Sequence, residues 1–300
     1  MLTTRNRMFL PFAKCARYLA SRAVPTLVPE LYIDVNAMQR MANIKGLELT
    51  SKSSFLRYPK EDQQILELGC GTGDFTRQEL LPRCQPCRRI VATDVSWEMV
   101  RFARQNFPHP QIEHHVHDLR DGASKLVEKY GEFDRVYSFF ALHYAQDQAT
   151  ALRNVSDLMT QNGECLLVFV ARIPGYDIWR RVLRMDRWRS YAEVCESLIP
   201  MSHDMKDKAA RACYMLHMLK SASLKSRLCE VTTQIPSTTN LDQLLKLHVV
   251  HNQIIPLIPE DSKAEFMSDL EEVVVRFWTE RDTRDPQYHT ETFVIHATKM

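Results

Sequence analysis

The sequence predicts an α/β fold with a mostly parallel, doubly wound sheet that carries helices on both faces. Three observations support this prediction. Apolar runs of strand length alternate with helical patterns from about residue 64 onward. The first run, 65–68, leads directly into Gly69, Gly71 and Gly73, a glycine-dense turn. The last segment, 291–297, alternates as a strand after two helical segments, which suits a terminal strand that inserts antiparallel.

The elements follow in order from apolar runs and their breaks. Ser96 is a good N-cap for the second helix, which Pro108 ends, and Pro82 is expected to stop the first helix. The Asn162-Gly163 pair predicts a turn before the fifth strand. The predicted strands are 65–68, 88–94, 111–116, 133–140, 165–170, 227–235 and 291–297. The predicted helices include 75–81, 124–130, 149–159, 241–251 and 262–279, with a helical insert at 173–225.

Composition restricts the class of protein. The 300 residues are 45% hydrophobic and 25% charged, as in an ordinary globular protein. The net charge of +2 disfavours a nucleic-acid substrate. No apolar stretch approaches the roughly 20 residues of a membrane span. Eight scattered cysteines predict reduced thiols and a cytoplasmic location. Cys84 and Cys87 have CxxC spacing, and because no second ligand pair follows we expect a turn there and no metal.

The glycine turn indicates the ligand. A dinucleotide-binding turn has the pattern G-x-G-x-x-G, but its third glycine position is Asp74 here. The observed spacing is G-x-G-x-G after Glu67, the usual form of the S-adenosylmethionine (SAM) turn in class I methyltransferases. Without a Cβ, backbone N–H groups there can approach a ligand. The turn therefore predicts a SAM site.

Further cofactor contacts are expected at the carboxyl ends of the next strands. Asp94 ends the second strand, where a carboxylate can accept hydrogen bonds from both ribose hydroxyls; the alternative is a helix cap. Met99 suits either adenine or the core. Asp118 and the backbone N–H of Leu119 are placed for the adenine ring. The full predicted cofactor set is Glu67, Gly69, Cys70, Gly71, Gly73, Asp94, Val95, Met99, Asp118, Leu119 and Ser138.

Histidines occur at two places that could be functional, a possible metal cluster and a possible acceptor contact. His114, His115 and His117 do not predict a shared metal ion, because strand alternation turns His114 away from the other two. His143 and Tyr144 follow the fourth strand at the edge where open α/β sheets hold their ligands. They are candidates to contact the methyl acceptor, and the alternative for His143 is a structural role.

Several blocks of residues resemble the arthropod juvenile hormone acid O-methyltransferases over about residues 31–300. The blocks are LYIDVNAMQR, ILELGCGTGDFT, ATDVSWEMV, FDRVYSFFALHYAQDQ, CLLVFVA and YDIWRRVLRMDRW. The resemblance implies a Rossmann-like class I methyltransferase fold with a seven-stranded sheet, SAM as cofactor, and a farnesoic or juvenile hormone acid as substrate. It also implies that Gln39 and Tyr144 hold the substrate carboxylate. The family commonly has Trp at the position of Tyr144, and because a phenol also accepts hydrogen bonds the preferred acid is expected to differ.

Three alternatives stay open from the sequence. Residues 1–29 are basic and contain no acidic residue, which suits a mitochondrial transit peptide or a disordered extension ahead of a 30–300 methyltransferase domain. The insert residues Trp179, Leu183 and Trp188 are hypothesised to enclose an apolar tail. The acceptor is hypothesised to be a small apolar carboxylic acid, with an amine, phenol or quinone, or a non-catalytic SAM-binding role, as rivals. The sequence predicts no oligomeric state.

Overall fold

A computed structural model describes residues 28–51, 60–234, 240–282, 284–285 and 288–300. The predicted basic extension lies outside these residues up to position 27, as does the last residue of the predicted strand 227–235. The chain divides into two compact units. The sheet unit comprises 37–172, 200–234 and 291–300; the helical unit comprises 28–36, 173–199 and the described part of 240–290.

The elements of the sheet unit alternate as predicted. Its strands are β1 (Gln64–Leu68), β2 (Arg89–Asp94), β3 (Ile112–Val116), β4 (Phe133–Phe139), β5 (Met159–Arg172), β6 (Leu224–Gln234) and β7 (Thr290–Lys299). Its helices are α2 (Ala37–Ser51), α3 (Leu81–Cys84), α4 (Trp97–Asn106), α5 (Ser124–Tyr130), α6 (Gln148–Leu158) and α9 (Lys208–Ser221). The helical unit contains α1 (Pro29–Val35), α7 (Pro174–Leu183), α8 (Ala192–Leu198), α10 (Leu241–His251) and α11 (Lys263–Glu280).

The described strands form one seven-stranded sheet in the order β3-β2-β1-β4-β5-β7-β6. β1 is parallel to β2 and to β4, so Leu66 pairs with both Val91 and Val136. β7 runs antiparallel to β5, with Val168 opposite Val294. The predicted mostly parallel sheet and its antiparallel terminal strand are therefore confirmed.

The core explains why the central strands are almost wholly apolar. β1 and β4 are covered on both faces, which removes the alternation of polar and apolar residues that a half-exposed strand shows. α6 buries one face against β4 and β5, including Leu152 and Val155. Ser96 caps α4 as predicted: its hydroxyl oxygen accepts the Met99 N–H at 3.2 Å.

Three predicted boundaries are wrong. Pro82 does not stop the first helix, because a π-helical turn (Thr76–Leu80) precedes it and Pro82 then falls in the first turn of α3, where a missing N–H is tolerated. The Asn162-Gly163 pair is not a turn but part of β5. A Cβ on Gly163 would lie 3.1 Å from the Phe133 carbonyl oxygen, next to a register shift between β4 and β5.

The third difference concerns the insert, predicted at 173–225. Only 173–199 belongs to the helical unit, whereas α9 belongs to the sheet unit. α9 packs beside α6 and β6, and the Tyr214 hydroxyl donates to Gln148 Oε1 at 3.4 Å. Among the described residues, no helix is long and apolar enough to cross a membrane.

α2 packs closely on β5, and Gly46 makes this possible. A Cβ at Gly46 would lie 2.7 Å from Val168 Cγ2. We expect Gly46→Leu to lower the free energy of unfolding by about 1–3 kcal/mol, because overpacking outweighs the gain in helix propensity. Urea denaturation measures the change. Gly122→Ala is the matched control, since nothing lies within 4 Å of its Cβ position. An unchanged midpoint for Gly46→Leu would contradict this packing.

Candidate active site

The glycine turn after β1 has a backbone that only glycine adopts easily. Gly69, Gly71 and Gly73 have φ angles of 81°, 55° and 76°. A Cβ at Gly69 would overlap the Ala141 methyl group that follows β4, and a Cβ at Gly73 would lie 2.7 Å from Ala103 Cβ. The turn is therefore pressed between β4 and α4.

The N–H groups of this turn are used within the protein. Those of Gly69 and Cys70 donate to the Thr93 carbonyl at 2.7 and 2.8 Å, and that of Gly71 donates to Asp94 Oδ2 at 2.9 Å. The expectation that the turn offers these donors to a ligand is wrong for these three groups. What Gly69 and Gly73 contribute is close packing of the turn against Ala141 and Ala103 at the carboxyl end of β1.

Asp94 is a carboxylate that the glycine turn itself contacts. Oδ2 accepts from Gly71 and Oδ1 accepts from the Ser96 N–H at 2.9 Å. Each carboxylate oxygen has about two acceptor positions, so Asp94 can still accept two hydrogen bonds from a diol such as ribose. Burial raises its pKa, and backbone hydrogen bonds from Ser96, Gly71 and Val95 oppose that shift. The geometry fits both roles predicted for Asp94, the ribose contact and the helix cap.

Glu67 lies beneath the turn and is fully buried. Its Oε2 accepts the Thr76 hydroxyl at 2.6 Å. Burial raises the pKa of Glu67 to about 7, and the charges of Asp74 and Asp94 add to the rise while Thr76 opposes it. Near neutral pH the site therefore holds one carboxyl group that is close to half protonated.

The next predicted cofactor residues lie at the end of β3 and just after it. The His117 N–H donates to the Asp94 carbonyl at 3.0 Å, which brings the end of β3 beside Asp94. Asp118 instead binds Arg120, whose Nε lies 2.9 Å from each of its carboxylate oxygens. The Arg120 interaction lowers the pKa of Asp118. The adenine contact of Asp118 stays a prediction.

Four more residues complete the predicted cofactor set. Met99 is buried in α4, and Val95 is exposed just after Asp94. Leu119 packs partly against the main core. The buried Ser138 donates its hydroxyl to the Leu68 carbonyl at 3.0 Å and so ties β4 to β1. Of the four, Val95 is the side chain most accessible to a ligand.

The end of β4 presents the predicted acceptor residues. Phe140 has a φ of 51°, in the left-handed region that bulky residues rarely adopt, and turns the chain into a 3-10 segment, Leu142–Tyr144. The rings of His143 and Tyr144 lie 4.2 Å apart. Burial raises the pKa of Tyr144, and the negative charge of Asp94 raises it further. Tyr144 is thus electrostatically coupled to the Asp94 side of the site and stays protonated.

Gln39 lies on α2, and the next residue, Arg40, ties that helix to residues beyond the glycine turn. Arg40 donates to Asp74 at 3.0 Å and to Glu79 at 2.7 Å, just beyond the glycine turn. Gln39 is 8% exposed, and within the part of the chain that the structure describes its Oε1 has no hydrogen-bond donor. The structure therefore brings the glycine turn, Asp94, and the α2 and β4 residues to one edge of the sheet.

Sequence reasoning missed the residues that support this edge. They are Arg40, Thr76, Ala141 and Phe140. Each acts through a partner distant in sequence or through backbone conformation, so no local motif reveals it.

A metal role is not supported at the histidines of β3. Among the described residues, no three His, Cys, Asp or Glu side chains are placed to share a metal ion. His115 contacts the Tyr130 hydroxyl and Glu113, whereas His114 Nε2 lies near Gly73. Burial lowers the pKa of His114 to about 4, so it is neutral at physiological pH.

The helical unit holds the aromatic residues that were hypothesised to enclose an apolar tail. Trp188 is buried, packs edge-on against Phe266 and donates its indole N–H to Asp269 at 2.5 Å. Trp179 is also buried and meets Tyr176 edge-on. Trp188 therefore belongs to the core of the helical unit, and tail enclosure stays a hypothesis.

Comparison with known proteins defines the class. A family model described as a methyltransferase domain matches residues 65–163, which contain the glycine turn, Asp94 and the end of β4. With the strand order and the geometry above, the chain is a class I, Rossmann-like, S-adenosylmethionine-dependent methyltransferase. Its cofactor is SAM. That the glycine turn and the Asp94 carboxylate hold it stays a prediction, with which the free acceptor positions of Asp94 are consistent.

The more similar relatives are insect enzymes. The chain is 28% identical to juvenile hormone acid O-methyltransferase of Bombyx mori over 247 residues, which cover 82% of this chain and 85% of that protein. It is 30% identical to juvenile hormone acid O-methyltransferase of Drosophila melanogaster over 176 residues, 58% of each protein. Phosphoethanolamine N-methyltransferase 2 of Haemonchus contortus, solved with SAM, is 13% identical with a TM-score of 0.46 and covers 85% of this chain and 52% of that chain.

Asp94→Ala should weaken SAM binding about 10- to 100-fold, because hydrogen bonds to a charged acceptor contribute about 1.5–3 kcal/mol. Isothermal titration calorimetry measures the Kd. Asp157→Ala, an exposed aspartate on α6, should bind SAM as the wild type does. Equal affinity of the two variants would remove Asp94 from the nucleoside site.

Glu67→Gln should change how stability depends on pH. The folded-state pKa of Glu67, about 7, lies above its unfolded value of about 4.5, so ionisation destabilises the folded wild type increasingly as pH rises from 4.5 to 7. Glutamine keeps an acceptor for Thr76 and does not ionise. Its advantage over wild type should grow by roughly 2–3 kcal/mol across that window and then stay constant.

Urea denaturation without SAM, from pH 4.5 to 8, measures this difference. The exposed Glu61→Gln is the control and should follow the wild-type curve. A difference between Glu67→Gln and wild type that does not vary with pH would show that Glu67 is ionised in the folded protein throughout.

Proposed function

We propose that this enzyme methylates the carboxylate of an apolar acid of the isoprenoid or fatty-acid type. The observation that carries the proposal is the neutral character of the acceptor residues. Gln39 is uncharged, and Tyr144 has a raised pKa and keeps its proton beside Asp94. Such groups can donate hydrogen bonds to a carboxylate but are poorly suited to removing a proton from an acceptor.

The chemistry of a carboxylic acid fits these residues. Its reference pKa is about 4, so it is already ionised at neutral pH and needs no general base. SAM, when bound, supplies an electrophilic methyl group on a positively charged sulfur. The residues of this chain have only to orient the carboxylate oxygen toward that group, which is catalysis by positioning.

Exclusion of water is the second contribution of the site. An anionic acceptor and a cationic donor lose charge as they react, so water that stabilises the separated charges slows the step. Gln39 and His143 are both less than a tenth exposed, and the apolar Ala141 and Leu142 are buried next to His143. In our proposal Gln39, His143 and Tyr144 orient the carboxylate in this sheltered place.

The names of the insect relatives support the same acceptor class, since both act on juvenile hormone acid. A methyltransferase that deprotonates its acceptor needs a general base, whereas Gln39 and Tyr144 are hydrogen-bond donors. Where an amine or phenol is the acceptor, His143 would have to act as a base, and activity would then fall below a pH of about 6.5.

The first test is an acceptor panel with methyl-labelled SAM. We expect methyl esters from farnesoic acid and from medium-chain fatty acids, and no product from matched amines, phenols or quinones. The turnover number should not fall between pH 8 and pH 6, because the acceptor stays ionised over this range. Methylation of amines or phenols alone, with a loss of activity near pH 6.5, would overturn the proposal.

Gln39→Ala should reduce kcat/KM for the acid about 10- to 100-fold, because one or two hydrogen bonds to a charged group are lost. The Kd for SAM should stay within twofold of wild type. Lys45→Ala, an exposed change on the same helix, is the matched control. If Gln39→Ala and Lys45→Ala behave alike while acids are still methylated, Gln39 has no part in acceptor binding.

A further inference from the structure

One face of α2 carries a polar residue, Asn43, to which the proposed carboxylate site assigns no role. Gln39, Asn43, Gly46 and Thr50 follow one another at spacings of four, three and four residues, which places them on the same face of the helix. Gly46 on this face lies against Val168 of β5. The side chains of Gln39 and Asn43 therefore point toward the same edge of the sheet as Gly46.

Two contacts fix where Asn43 lies along that edge. Arg40 is tied to Asp74, directly after the turn that follows β1, and Gly46 is seated on β5. The six helical steps from Arg40 to Gly46 span about 9 Å. That length matches the roughly 9.6 Å across two strand spacings, from β1 past β4 to β5. Asn43 lies halfway along this stretch of α2, between the Arg40 contact to Asp74 and the Gly46 contact to β5.

The side chain of Asn43 is buried without a partner for its oxygen. Asn43 is 6% exposed, and no donor among the described residues lies within hydrogen-bond distance of Oδ1. By contrast, Thr50 on the same face donates its hydroxyl to the Gly46 and Leu47 carbonyls at 3.0 and 3.1 Å. A buried acceptor without a donor destabilises the folded protein, so a residue retained in this state is expected to serve a ligand.

We propose that Asn43 determines specificity by accepting a hydrogen bond from a hydroxyl group on the chain of the acid; this rests on the proposed function. The Cα atoms of Gln39 and Asn43 are about 6 Å apart along the helix. An extended chain covers that distance in five or six bonds. The preferred substrates are therefore apolar acids with a hydroxyl group five or six bonds from the carboxylate carbon.

The test compares dodecanoic acid with 6-hydroxydodecanoic acid in the wild type, Asn43→Ala and Asn43→Leu. The wild type should prefer the hydroxy acid. Both variants should lose about tenfold in kcat/KM for the hydroxy acid and stay within twofold for the plain acid, because only the hydroxyl contact is removed. The Kd for SAM should not change. Met41→Ala, an exposed change on the same helix, is the control and should match the wild type on both acids.

Thermal unfolding adds a readout that separates a binding role from a structural one. Because both variants remove an unpartnered buried polar group, their Tm should equal or exceed that of the wild type, by up to about 2–4 °C. A lower Tm with equal losses on both acids would overturn the proposal, as would weaker SAM binding or a wild type that does not discriminate. Failure of the wild type to methylate any acid would instead reject the proposed function itself.

Discussion

The close approach of the glycine turn to the end of β4 is the constraint on which the site depends. Gly69 lies where any side chain would overlap Ala141, so β1 and β4 can end side by side only with glycine at this position. The same turn brings the Gly71 N–H to Asp94 and the Gly69 and Cys70 N–H groups to Thr93. One backbone conformation therefore sets the distance between Asp94 at the end of β2 and the residues that follow β4.

The electrostatics of this edge suit a cationic donor. Burial raises the pKa of Glu67 to about 7, and the nearby charges of Asp74 and Asp94 add to the rise. Arg40 neutralises Asp74 directly. Asp94 keeps its backbone donors Gly71 and Ser96, whereas Gln39 carries no charge and the raised pKa of Tyr144 keeps its hydroxyl protonated. In the proposed function, the carboxylate of the acceptor would meet these two neutral groups.

Local sequence patterns predicted most of the fold and all of the candidate cofactor residues. Strand and helix alternation, the Ser96 cap and the terminal antiparallel strand depend on residues close in sequence, and the structure confirms them. The Pro82 and Asn162-Gly163 predictions were wrong because a π-helical turn and a register shift changed what each local signal meant. Arg40 and Asn43 could not be assigned, since the role of Arg40 comes from its tertiary contact with Asp74 and that of Asn43 from the burial of an unpartnered oxygen.

Several residues at the site have conformations or environments that lower the stability of the folded protein. Phe140 adopts a left-handed backbone, Glu67 is buried as an ionisable acid, and Asn43 is buried with an unpaired oxygen. On the same elements, Ser138 and Thr50 are equally buried but fully bonded to backbone carbonyls. Buried polar side chains on these strands and helices can therefore form hydrogen bonds within the protein. Because the oxygen of Asn43 does not do so, this position is better explained by a ligand than by the demands of packing.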